Sequence, residues 1–107
     1  MTGPGLGMAA EQETGRDKLN RETSKIAWKE LQRFFASGAA LVVADDLDLV
    51  EVAMELSRDN AARIREWMTA GKFGKVSDEQ AAVWHGSDAL LWAVVVSPWV
   101  LVQQVKK

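Results

Sequence analysis

From Asn20 onward, apolar residues recur at three- and four-residue steps through Ile26, Ala27, Leu31, Phe34 and Phe35, and Gly38 stands where such a helix would stop. The spacing predicts a first helix over residues 20–37. On a wheel of about 100° per residue, Arg21, Lys25, Lys29, Gln32 and Arg33 share one side. Trp28 and Phe35 widen the opposite, apolar arc to roughly half the circumference, so this helix is expected to touch two surfaces.

The pattern then changes period. Residues 40–44 form a short aliphatic run between Gly38 and Asp45-Asp46, the signature of a strand buried on both faces. Asp46 or Asp48 can cap the following helix, residues 49–57, with Val50, Val52, Ala53 and Leu56 inward and Glu51, Glu55 and Arg58 outward. Residues 60–70 read as helical again, with Ile64, Trp67 and Met68 on one face and Gly71 as the stop; the periodicity is compatible with one helix or two. A brief strand is predicted at 73–76. Ser77 and Gln80 then supply a capping box for a short helix reaching His85 and ended by Gly86. The last stretch is β-rich. Pro98 cannot donate to a ladder, so it marks a bulge or turn between strands at 91–96 and 99–104.

The elements therefore predict an α+β domain, three or four helices packed on a small β-sheet, over residues 18–107. Residues 1–17 carry Gly3, Pro4, Gly5, Gly7 and Gly15 among polar neighbours, a composition that cannot repay the entropy of ordering, and are expected to be a disordered tail. Either Met1 or Met8 can be the native start. A chain of 107 residues has enough length for one core.

Composition narrows the function classes. Thirteen Lys and Arg against fifteen Asp and Glu give a net charge of -2, too small to steer the chain toward nucleic acid or anionic lipid. With no cysteine the chain has no disulfide, thiolate nucleophile or cysteine zinc site, and a reducing cytoplasm suits it. The most apolar run, residues 90–102, is shorter than the ~20 residues a membrane span needs, so no membrane partner is expected.

Candidate chemistry is sparse. No glycine-rich phosphate loop, zinc-finger spacing or nucleophile elbow is present, and no cofactor is expected. Asp48, Glu51, Glu55 and Asp59 fall on one helical face and are the only grouping with oxygen ligands for Mg²⁺ or Ca²⁺; a solvated face is the simpler account. The same acidic face suits a basic protein partner. His85 is the one histidine, with Asp88 three residues on as its orienter, and Trp84 beside it completes a candidate ligand pocket. No serine, cysteine or second histidine is tied to it by spacing. The five tryptophans stand out in a chain with no tyrosine. Trp28 and Trp67 lie on apolar helix faces and belong in a core, while Trp92 and Trp99 flank the proline and suit either a core or an interface.

Four segments, Leu19 to Thr23, Trp28 to Phe35, Leu47 to Ala53 and the ending Pro98-Trp99-Val100-Leu101-Val102-Gln103, resemble a family of small bacterial proteins known as a domain of unknown function. The resemblance covers residues 19–104. It implies a bacterial, cytoplasmic, single-domain protein and supplies no activity, substrate or catalytic residue.

The expected function is a non-enzymatic interaction module that self-associates. Helices are expected to cover one face of the sheet and a second subunit the other, or an edge strand, with Trp92, Trp99 and Val100 as anchors. The alternative is a small-ligand binder or enzyme with its pocket near Trp84, His85 and Asp88.

Overall fold

The computed structural model describes residues 15–105. The expected tail up to Thr14, and with it the choice between Met1 and Met8, lies outside the described residues. Along the chain run α1 (Gly15–Glu22), β1 (Ser24–Ala27), α2 (Trp28–Ala36), β2 (Ala40–Val43), α3 (Leu49–Ser57), α4 (Ala61–Thr69), β3 (Phe73–Lys75), α5 (Asp78–Ser87), β4 (Leu90–Val96) and β5 (Trp99–Gln104). The described residues thus hold five helices on a five-stranded mixed sheet, one or two helices more than the sequence predicts.

The extra helix comes from the first predicted one, which is broken. Ser24 to Ala27 pair antiparallel with Ala93 to Leu90 as edge strand β1, and α2 starts only at Trp28, whose N–H donates to Ala89 O at 2.8 Å. Cross-strand pairing overrides the helical spacing of Ile26 and Ala27. Upstream, α1 is anchored by its one buried residue, Leu19, and begins at Gly15, inside the stretch expected as tail.

Strand order is β1-β4-β5-β2-β3, with β2 and β5 parallel and every other neighbour pair antiparallel. Side chains alternate faces along each strand. Leu41, Val43, Phe73, Val94 and Leu101 meet Leu19 of α1, Val52 and Ala53 of α3, and Trp67 of α4. Ala40, Leu91, Ala93, Val100 and Val102 meet Trp28 and Leu31 of α2 and Ala81 and Trp84 of α5. Helices of this one chain therefore cover both faces, and the expectation that a second subunit covers one of them is corrected. Each fully buried Leu or Val contributes roughly 1.5–3 kcal/mol, enough to make the central strands the stable part of the fold.

Helix ends follow local chemistry. Asp48 caps α3, accepting from Val50 N at 3.0 Å and Glu51 N at 3.4 Å, and the Ser77 hydroxyl caps α5, accepting from Gln80 N at 3.1 Å. Four helices close with a paired turn in which the C′ residue is left-handed. Gly38 and Gly71 fill that position after α2 and α4, as expected from the sequence. After α3 and α5 it is filled by Asp59 (φ 56°) and Asp88 (φ 54°). Asp59 separates α3 from α4 as two helices. Asp88 ends α5, so Gly86, the expected stop, lies within the helix.

Inside the α2–α5 layer the Trp28 and Trp84 rings lie 5.1 Å apart, tilted by 57°. Both indole N–H groups are buried without a hydrogen-bond partner. An orphan donor costs about 1–3 kcal/mol, so this core gains its stability from aromatic area in spite of its polar atoms.

Candidate functional site

The β4–β5 hairpin turns through Ser97 and Pro98, joined by a cis peptide bond, and brings Val96 opposite Trp99. The turn abuts the C-terminal end of α3. Between them lies a cleft of about 360 Å³ walled by Leu56, Val96, Pro98 and Trp99, with Asp59 and Ser57 as its polar edge. Trp99 packs its inner side on the α3 layer while staying partly open, Pro98 is exposed, and Val95 is 57% exposed on the opposite side of the strand. Ser57 directs its hydroxyl to Met54 O at 2.7 Å, so it is not poised as a nucleophile. The cleft thus combines an apolar wall with the Ser57 and Ser97 hydroxyls and one carboxylate, Asp59.

Trp92, expected beside Trp99 as an anchor, is half-buried, and Lys25 from the neighbouring strand lies 5.0 Å from its ring centroid. Val100 is 3% exposed and packed against its own chain's α2–α5 layer. It therefore has no surface to offer a partner, because β-strand alternation turns it inward where Trp99 turns to the opposite face.

The residues of the expected ligand pocket are not assembled into one. Trp84 is buried at 2% exposure. His85 lies at the exposed end of α5 with Nδ1 3.2 Å from the Gln32 amide nitrogen, and Asp88 directs its carboxylate to Lys29 at 3.8 Å. The imidazole thus has Gln32 as its partner, while Asp88 serves as the left-handed helix end.

The acidic face is crossed by basic residues. Arg16 of α1 pairs with Asp48, and Arg63 of α4 pairs with Glu51 at 2.9 Å and approaches Glu55 at 3.9 Å, while stacking 4.7 Å from the Trp67 centroid. Burial pushes the Asp48 carboxyl up, but the Arg16 hydrogen bond and charge, with the Glu51 and Val50 amides, outweigh it and hold the group below the usual carboxylate range. Among the described residues no three metal-binding side chains come together, so Asp48, Glu51 and Glu55 are not gathered on a common point.

Two features of the structure differ from what the sequence pattern offers. Asp59, expected on the acidic face of α3, instead lies past the helix end at the cleft edge. Gln103 carries no sequence signal: its side-chain amide donates to Ala44 O at 2.8 Å and Leu47 O at 2.7 Å, clamping the loop that leads into α3.

The chain belongs to the family described as protein of unknown function DUF2288, which matches residues 14–104. It is also similar to a protein of Pseudomonas aeruginosa known from the NMR solution structure of PA1075, at 41% identity and a TM-score of 0.77, covering 100% of this chain and 93% of that one. No curated protein matches it.

Proposed function

We propose that this protein is a non-enzymatic interaction module that self-associates through the end of the β4–β5 hairpin. One observation carries it: with both sheet faces covered by the chain's own helices, Pro98 and Trp99 still leave apolar surface open around a formed cleft, and Val95 is exposed on the other side of the same hairpin end. Large aromatic residues in such positions act as anchors, because they bury much area with few rotatable bonds. Of the anchors considered, Trp99 has the open surface, Trp92 lies beside Lys25, and Val100 serves the core.

A bacterial, cytoplasmic setting is part of the proposal. It is supported by the cysteine-free composition and by the Pseudomonas relative; no described helix is long and apolar enough to cross a membrane. The geometry gives less support to a ligand pocket or enzyme site at Trp84, His85 and Asp88, since the indole is buried and the other two side chains have separate partners.

Sedimentation velocity over a concentration series tests the proposal. The wild-type protein is expected to shift toward a heavier species as concentration rises, and Trp99→Ala to remain light with an unchanged circular dichroism spectrum. A wild-type protein that stays monomeric at millimolar concentration, or a Trp99→Ala variant that assembles like wild type, would overturn it.

A further inference from the structure

Asp59 lies on the rim of the hairpin-end cleft, and Arg58, of opposite charge, precedes it in the chain at the end of α3. Both are exposed, and neither side chain has an ion pair or hydrogen bond among the described residues. Their neighbours differ: Asp48 is held by Arg16, and Glu51 and Glu55 by Arg63. We infer that the partner in this cleft is a second copy of the chain, related by a two-fold axis, with Arg58 of each copy entering the other's cleft between Trp99 and Asp59. This rests on the proposed self-association and names its chemistry.

Three observations converge on that arrangement. A two-fold interface is self-complementary, so a surface carrying an adjacent Arg and Asp presents to its copy the opposite charge each one lacks. An indole and a carboxylate both line the cleft, and a guanidinium is the group that can stack on the first and pair with the second. Asp59 also occupies a left-handed backbone position, φ 56°, where glycine is favoured. Its carboxylate, at the edge of the cleft, has no ion pair or hydrogen bond among the described residues and is open to a partner.

The test is sedimentation velocity at low salt on the wild-type chain, Arg58→Ala, Asp59→Gly and an equimolar mixture of the two variants. Each variant alone loses both Arg58–Asp59 contacts and is expected to dimerise about tenfold more weakly, the range for a pair of partly exposed charge contacts. In the mixture one copy supplies Arg58 and the other Asp59, so one contact is restored and association recovers part of the loss. Asp59→Gly is expected to be at least as stable to urea as wild type, because glycine suits the left-handed position; its weaker association is then not a folding defect. Asp88→Gly, the matching change at the end of α5, leaves association unchanged. If both variants dimerise like wild type while Trp99→Ala dissociates, or if the mixture shows no recovery, the Arg58–Asp59 contact is wrong and self-association stands. A wild-type chain that is monomeric throughout removes both.

Discussion

Replacing Gln103 by methionine keeps the length of the side chain and deletes its two donors. Gln103 lies near the end of β5, level with Val43 in the parallel register, and reaches across to the loop between β2 and α3. Two short hydrogen bonds, 2.8 Å to Ala44 O and 2.7 Å to Leu47 O, are lost. At about 0.5–1.5 kcal/mol net for each, the expected loss is about 1–3 kcal/mol. The two acceptors are not equal. Ala44 O still receives Leu47 N at 3.1 Å, whereas Leu47 O depends on Gln103 or water, so the middle of that range, about 2 kcal/mol, is expected. For a domain of this size that corresponds to a fall of about 8–16 °C in Tm. Urea titration followed by tryptophan fluorescence measures the loss, and native-state hydrogen exchange locates it. The Leu47, Val50 and Glu51 amides should exchange faster, because the loop that positions the Asp48 cap is freed. A loss below about 0.5 kcal/mol at an unchanged m-value would refute the clamp.

Two further substitutions test the ion pair on α3 and the core. Asp48→Asn keeps an N-capping oxygen and removes the charge facing Arg16. Since the folded carboxyl titrates below its usual range, its stabilisation is complete above the unfolded value and is lost as pH falls through the folded one. The wild-type urea midpoint should therefore drop between pH 6 and pH 2 by more than that of Asp48→Asn; parallel curves would count against the pairing. Val100→Ala should cost about 2–3 kcal/mol in urea as a core truncation, with no change in association where the protein is folded; selective loss of association would put Val100 in the interface after all.

The parts of the fold legible in the sequence are those where local and tertiary preferences agree. Helix α3 was readable because Asp48 caps it and Val52 and Ala53 face the core, and β5 because an aliphatic run follows a proline. The segment containing Ile26 was not, because the three- and four-residue spacing that marks a helix also arises by chance across a short edge strand. Only pairing with residues 90–93 of β4, more than sixty positions away, separates the two. The ends of α3 and α5 were hidden for a different reason. The sequence signal for a left-handed stop is glycine, and aspartate at Asp59 and Asp88 takes the position at some cost. The candidate site was legible as a tryptophan beside a proline; its acidic edge and the depth of its cleft depend on where α3 ends against the hairpin.

Closure of both sheet faces also excludes one kind of association. A face-packed dimer would extend one hydrophobic core across two chains and bury well over 2,000 Å², as permanent dimers do. That route is closed by α1, α3 and α4 on one side and α2 and α5 on the other. A single hairpin end and a cleft of about 360 Å³ offer less apolar surface than a sheet face, so the proposed association is expected in the class of transient complexes. It should then be visible chiefly when the concentration is raised. The two contributions then separate by salt. Exposed Arg58–Asp59 contacts are screened within a Debye length of about 10 Å at 0.1 M, while burial of Trp99 is not. Raising NaCl from 20 to 500 mM should weaken the wild-type dimer down to the level of Asp59→Gly and leave that variant nearly unmoved. Equal salt sensitivity in both proteins would place the electrostatics elsewhere on the surface.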